Sequence, residues 1–479
     1  MTSLAEAVRG VDRLFAQRAG DDQRAGEVHA PSASYGVFTP EGLVHTGSTG
    51  TVAGTRPTAD TVYRIASCTK SFTATALLAL RDAGSLHLDD PVTAYVPAFD
   101  AVRLPSADAP VPTIRMLLTM SAGLPTDDPW GDRQESITDE ALDELLTSGL
   151  SFDSVPGTRF AYSNLGYALL GRVVAVASGT PYRDVVTRTI LEPLGLASTG
   201  FVRPDDADDR LAVGHRRLDG EWQPLPFSGP GGFSPIGGLF STVADLSRWA
   251  RWLSSAWADG RDGDRDGILS RASRRELQQM HRYVPAVSKS SGEPTAYGFG
   301  LFVEDQVDLG TVVSHSGGYP GFSAHMRWHA ASGIGMVAFE NATYAQVSVP
   351  TASTLHALLH DVDAAPRATV WPETRVAQAA VDAVVRGADV PAGLLSENVD
   401  LDVPLGHRRT AWAEAIDAVG GLAEQPRPAG PEAGPDEESS APSHLVWRIP
   451  GAHGRLRVEI RLTPEAAPRV QTLGVRVER

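Results

Sequence analysis

Thr61-Val62-Tyr63-Arg64-Ile65-Ala66-Ser67-Cys68-Thr69-Lys70-Ser71-Phe72-Thr73-Ala74 reads as a strand that runs straight into a helix. Val62, Tyr63 and Ile65 carry the strand character, and Gly84 closes the Ala/Leu-rich run that follows. The pattern predicts a strand over 60–65 and a helix from about Ser67 to Ala83. Ser67 and Lys70 then stand at i,i+3, one turn apart on one face. The positive end of the helix dipole favours an alkoxide or acyl oxyanion at Ser67. A desolvated lysine within reach can accept the hydroxyl proton. Taken alone, the same four residues also describe a helix N-cap followed by a surface lysine.

Lysine usage sharpens the choice. The chain has 479 residues and 42 Lys plus Arg, of which only Lys70 and Lys289 are lysine. A genome that writes arginine for either cation accounts for the bias. It also makes a retained lysine worth attention, because arginine cannot give up its proton and a buried lysine can. Lys289 lies in a polar loop beside Ser288, Ser290, Ser291 and Gly292.

Against 42 cations stand 58 Asp plus Glu, a formal charge of −16, with 42% hydrophobic and 21% charged residues. This is the balance of a globular chain long enough for two or three domains. An acidic excess without a Lys/Arg run argues against a nucleic-acid partner. The lack of any long apolar run argues against a membrane span. Cys68 as the single cysteine removes disulfide frameworks and Cys-based zinc sites. Glu6, Arg9, Asp12 and Arg13 interrupt any signal-peptide core, while Leu4, Val8, Val11 and Phe15 keep helical spacing, so a cytoplasmic chain is expected.

Outward from Ser67, residues 33–38 and 42–52 read as strands. Residues 136–148, 164–178, 182–190 and 241–258 read as helices. Strand character returns at 297–304, 310–315, 322–329 and 333–340, before a helix near 345–360. Strands at both ends with helices between them predict an α/β (α+β) domain over 1–360, one sheet with an inserted helical subdomain. A connecting helical linker over 361–395 and a small α+β domain over 396–479 are expected next. That last domain has a helix at 408–419, strands at 444–449, 454–463 and 469–477, and a disordered loop at 425–442.

Two further stretches stand out. Tyr162-Ser163-Asn164 follows Pro156-Gly157-Thr158, and His315-Ser316-Gly317-Gly318 ends a strand. Singly, they read as a capped helix start and a glycine turn. In this order with Ser67-x-x-Lys70, they resemble the S-x-x-K, Y-x-N and [K/H]-[S/T]-G motifs of class C β-lactamase-like serine hydrolases. That family includes penicillin-binding proteins, D-aminopeptidases and family VIII-type esterases. Thr61–Ser67, Gly84–Val92, Met116–Leu124 and Gly237–Leu246 are also similar to family segments, so the resemblance covers roughly residues 10–360.

The resemblance implies an antiparallel sheet flanked by helices, with Ser67 as nucleophile and Lys70 as its proton-accepting partner. It implies Tyr162 as general base, held as phenolate or relayed by Lys70, and Asn164 bonding both substrate and Lys70. His315, Ser316 and Gly317 would line the substrate site, and the N–H groups of Ser67 and Gly318 would form the oxyanion hole. No cofactor and no metal are called for. His315 stands where many relatives have lysine, a weaker anchor for a substrate carboxylate. Met120 and Ala122 also depart from the family pattern.

Other candidates are weaker. His45-Thr46-Gly47 precedes the nucleophile, and Cys68 reads as a small core residue. Asp262–Gly267 resembles a calcium loop without its closing Glu. His325 and His329 sit too far apart along a strand for zinc. The expected activity is cleavage of a small ester or amide through a Ser67 acyl-enzyme, esters favoured. A D-amino-acid peptidase or β-lactamase is the alternative, and a catalytically idle binding module is the rival from another class.

Overall fold

Ser32–Thr39 (β1) is buried along its whole length, which a strand tolerates only when both sheet faces are covered. Gly42–Gly50 (β2) folds back beside it. Arg282–Tyr283 (β3), Thr295–Tyr297 (β4), Phe302–Gln306 (β5), Gly310–Tyr319 (β6), Phe322–His329 (β7) and Gly335–Glu340 (β8) complete an antiparallel sheet in the order β2-β1-β8-β7-β6-β5-β4-β3. The N-terminal hairpin thus pairs with the last strand, from Ala33 opposite Glu340 to Phe38 opposite Gly335. The computed structural model describes residues 4–20, 30–203, 209–258, 267–285, 293–364, 369–423, 434 and 436–478.

Leu4–Gly20 (α1) and Ser348–Asp361 (α5) cover one face. Val8, Val11 and Phe15 meet Tyr35, Val37, Leu355, Leu358 and Leu359 there. The other face carries Thr69–Asp82 (α2), Asn164–Ser178 (α3) and Val243–Ser254 (α4), whose apolar sides merge into the main core. Trp249 of α4 stacks on Phe72 of α2 with centroids 3.9 Å apart, and its Nε1 donates to Ser71 Oγ at 3.0 Å.

The strand expected over 60–65 is a correction. Only Tyr63 and Arg64 form a ladder, with Phe240–Ser241 outside the main sheet, and Val62 makes a lone parallel bridge to Leu211. Val62 N donates instead to Arg210 O and Ile65 N to Leu239 O, so the flanking residues are spent on other partners. A hairpin that the sequence reading passed over joins His215–Leu218 to Glu221–Pro224. Its Asp219-Gly220 turn has positive φ at both residues, the signature of a tight hairpin.

Contacts divide the chain into Met1–Ala365 and Pro366–Arg479. The second unit holds Pro372–Val385 (α6), Leu405–Ala418 (α7) and the antiparallel strands His444–Pro450 (β9), Arg455–Leu462 (β10) and Val470–Glu478 (β11). Ala377, Val381, Val384 and Val385 of α6 share one core with Trp412, Leu445 and Ile460. From 369 on, the expected linker over 361–395 is therefore part of a folded unit, because α6 has an apolar face to bury. Of the expected disordered loop 425–442, residues 425–433 and 435 lie outside the described residues. Beyond them Glu437 pairs with Arg375 at 2.9 Å and Glu438 bridges to Val446, so 436–442 are tied down. Among the described residues no helix is long and apolar enough to cross a membrane.

The α6 packing sets where the chain can be cut. A chain ending at 365 should elute as a folded species in size exclusion and unfold cooperatively. One ending at 395 keeps α6 but loses the strands that bury Val381 and Val385, and should aggregate on gentle warming. Equal behaviour of the two would show that α6 does not need those strands.

Candidate active site

The chain enters the site under strain. Ala66 takes φ +47°, a left-handed conformation that costs a non-glycine residue about 1–3 kcal/mol. It turns the Tyr63–Arg64 ribbon into a short 3₁₀ segment, Ala66–Cys68, that leads into α2. Neighbouring bonds hold the turn. Arg64 pairs with Glu135 at 2.9 Å with both side chains almost fully buried, and Arg64 Nε donates to Gly237 O at 3.2 Å. Cys68 is buried as expected of a core residue, its Sγ 3.3 Å from His315 O, and burial pushes its thiol up to about 12.

Behind Ser67, Lys70 is wholly buried. Its Nζ donates to Ser67 Oγ at 2.9 Å, Asn164 Oδ1 at 2.7 Å and Ile236 O at 2.9 Å, three acceptors for three N–H bonds. Burial lowers its pKa from 10.5 to about 8, and the charges of Asp128, Asp132 and Asp127 stop it falling further. A lysine in this state sheds a proton far more readily than one in water. Asn164 opens α3, with its Nδ2 donating to Asp128 Oδ1 at 2.9 Å. It is fully buried, so of the two bonds expected of it, to substrate and to Lys70, it makes the second.

Tyr162 borders the same space, its ring 5.0 Å from Lys70 Nζ and 6.3 Å from the stacked ring of Phe302. Met120 secures the loop that carries it. Met120 O accepts from Ala161 N at 2.8 Å and Met120 Sδ from Ser163 N at 3.4 Å. The departure from the family pattern at that position thus supplies a thioether acceptor. Burial raises the Tyr162 phenol well above 10.0, Asp128 adds to the rise, and a bond with Ser67 opposes it. Of the two expected states, phenolate or a relay through Lys70, this direction favours the relay by a neutral phenol.

His315 stands beside this space. Its Nδ1 lies 2.6 Å from Ser316 O and must carry the proton, while Nε2 accepts from the Tyr297 hydroxyl at 3.0 Å. Burial first, then the Lys70 charge, lowers its pKa to about 3. It is a neutral, doubly bonded wall of the site. Ser316 is exposed, and its Oγ meets His325 Nδ1 at 2.9 Å. Gly317 lets β6 touch the nucleophile turn, since a Cβ there would stand 2.3 Å from Ile65 O and 3.1 Å from Ser67 N. Ser67, Gly317 and Gly318 all border an open cavity of about 1110 Å³.

Three carboxylates escaped the sequence reading. Asp127 caps α3, accepting from Asn164 N at 2.6 Å and Leu165 N at 2.9 Å. Asp128 and Asp132 line the cavity beside Ser67, and burial pushes Asp132 up to about 7 while Tyr344 donates to it at 2.9 Å. Three acids within six residues were the available signal. Elsewhere in the cavity wall, Arg327 is paired with Glu304 at 2.5 Å. The weaker candidates fall away: His45 bonds Asp12, and His329 bonds Ser332 and Leu309 O. Lys289 and most of 262–267 lie outside the described residues.

A family profile described as Beta-lactamase matches residues 11–361. The D-alanyl-D-alanine-carboxypeptidase/endopeptidase AmpH of Escherichia coli (strain K12) is 29% identical over 286 residues, covering 58% of this chain and 71% of that protein. The solved octameric penicillin-binding protein homologue from Pyrococcus abyssi aligns with TM-score 0.60 and 21% identity over 100% of this chain and 99% of its own. A D-stereospecific amidohydrolase from Streptomyces sp. aligns with TM-score 0.56 and 23% identity over 73% of this chain and 98% of its own. These two likenesses concern the fold, and the first spans the second unit as well.

The Arg64–Glu135 pair should be the costliest contact to break near the nucleophile turn. Arg64→Met or Glu135→Gln strands a buried charge and should cost about 3–5 kcal/mol in urea unfolding, with the double Arg64→Met/Glu135→Leu recovering part of the loss. Losses below about 1 kcal/mol in either single variant would remove the pair from the account of how the turn is held.

Proposed function

This chain belongs to the Beta-lactamase family of serine hydrolases, and from that premise we propose that it cleaves a small ester or amide through a Ser67 acyl-enzyme. The observation that carries the reading is the Lys70 Nζ to Ser67 Oγ bond of 2.9 Å on a lysine whose pKa burial lowers to about 8. Lys70, as the free amine, takes the Ser67 proton while Oγ attacks the carbonyl carbon. The N–H groups of Ser67 and Gly318 receive the developing oxyanion. The neutral Tyr162 phenol passes a proton between Lys70 and the leaving group. Water then releases the acyl group by the reverse proton path. Asn164 orients Lys70, and His315 walls the cavity without charge.

Substrate charge follows from the wall. Lys70 is the internal cation, Arg327 is matched by Glu304, and Asp128 and Asp132 stand beside the nucleophile. Neutral or cationic substrates suit that field, and anionic β-lactams do not. The same two carboxylates favour one second reading, a D-amino-acid amide or peptide hydrolase whose substrate ammonium faces Asp128 or Asp132. The AmpH likeness supports it, as that relative is described as a carboxypeptidase/endopeptidase. The ester preference itself rests on the neutral His315. Ser67 activated by Lys70 argues against an idle binding module.

Ser67→Ala should abolish turnover and fluorophosphonate labelling with the fold intact, and Lys70→Arg should cost nearly as much, since the charge stays but cannot leave. In the native enzyme kcat/KM should rise with pH along a limb half-developed near pH 8, where Lys70 loses its proton. Asp128→Asn removes a charge that holds the proton on, so the limb should move to lower pH. A limb that does not move, or near-native kcat in Lys70→Arg, assigns the base elsewhere.

On substrates, p-nitrophenyl acetate or butyrate should exceed nitrocefin in kcat/KM, with Ser67→Ala as the blank. Nitrocefin ahead by about tenfold, some 1.4 kcal/mol of barrier, would make this a β-lactamase instead. Turnover of D-Ala p-nitroanilide alone would select the D-amino-acid reading.

A further inference from the structure

Helix α5 buries Leu355, Leu358 and Leu359 against the sheet. Its opposite face therefore presents His356 and His360, i,i+4 and one turn apart. Asp308, from the turn between β5 and β6, reaches the same point. His360 Nε2 stands 2.7 Å from Asp308 Oδ2, His356 Nε2 stands 3.9 Å from it, and the two Nε2 atoms are 3.1 Å apart. The rings cross at 67°, and the two Nε2 atoms and a carboxylate oxygen of Asp308 all lie within 4.8 Å of one another.

We propose that Asp308, His356 and His360 form a binding site for one divalent transition-metal ion, with Zn²⁺ as the best match. Ligands about 2.0–2.1 Å from a tetrahedral zinc lie about 3.3 Å from one another. The observed separations of 2.7, 3.1 and 3.9 Å bracket that edge. Two imidazoles and one carboxylate select zinc, nickel or copper over magnesium and calcium, which want oxygen. The three side chains are each nearly half exposed, which leaves an entry path and a fourth position for water. Two helical histidines at i,i+4 are also the spacing by which a helix offers both to one ion. His356 lies on the wall of the cavity that Ser67 borders, so the ion would sit at that cavity's margin. The site stands apart from the Ser67–Lys70 chemistry and does not depend on it.

The test is calorimetric titration of tag-free, EDTA-stripped and dialysed full-length protein with ZnCl₂, and with MgCl₂ and CaCl₂ as controls. Zn²⁺ should bind with a stoichiometry of one at this site and raise the melting temperature. His356→Ala and His360→Ala should each weaken it by about 100-fold or more, and Asp308→Asn by about 10-fold or more, taking losses of outer partners as the lower bound. Ser67→Ala protein should bind as the native chain does. All three ligand residues are on the surface, so the variants should melt normally without metal, and His360→Gln serves as a second check. Zinc binding that survives the histidine substitutions, or no binding below millimolar Zn²⁺, would overturn the proposal and leave a proton-bridged His–Asp cluster.

Discussion

One buried ammonium organises the centre of this molecule. Removing a charge from water costs several kcal/mol unless its hydrogens find acceptors. Lys70 finds three, on segments that meet only in the fold, since Asn164 is 94 residues away in sequence and Ile236 is 166. Each acceptor is held in turn. Asp127 and Asp128 fix Asn164, and Ser234, two residues before Ile236, donates to Glu135 at 2.9 Å. Glu135 pairs with Arg64, three residues before Ser67. The network closes on itself, and moving any one segment would leave a buried polar group without its partner.

Strain and support coincide around that network. Ala66 and Met120 both hold positive φ, at +47° and +54°. The first aims the Ser67 turn and the second pins the loop bearing Tyr162. Such backbones persist where surrounding contacts over-determine them. Gly317, with no side chain, lets the β6 backbone close the arrangement from the other side.

Much of this was legible in residue order. The span of α3 could be read because Ser163 caps it and a run interrupted by a single charge, Arg172, follows. Helical spacing offered Ser67 and Lys70 as a pair, and the Tyr162 and His315 motifs in order behind them decided between that and a capped helix with a surface lysine. Asp128 and Asp132 could not be read the same way. They open and close a four-residue helix, Asp128–Gly131, too short for any periodicity, and they matter through space to a lysine about sixty residues earlier. The place of His315 was readable and so was its weak charge, while the reason for that charge, burial and the Tyr297 hydroxyl, was not. Residues 366–395 looked like a linker because the strands that bury α6 come some seventy residues later. His356 and His360 drew no notice in the sequence, since Asp308 joins them only once β5 turns into β6.

The register of β1 has a consequence for how the chain is made. Ala33 pairs with Glu340, and Ser32 N donates to the side chain of Asn341 at 2.7 Å. During translation the first hairpin has no central partner until about three hundred further residues have left the ribosome. At about 5–20 residues per second that wait is on the order of 15–60 s. Throughout it one edge of β1 offers unpaired backbone and apolar side chains to any passing strand. Closing so long a loop also places the sheet among slow, high-contact-order folders. The nascent chain is therefore at its most aggregation-prone before synthesis of the first unit ends, and its yield in cells should depend on chaperone supply more than on the stability of the finished fold.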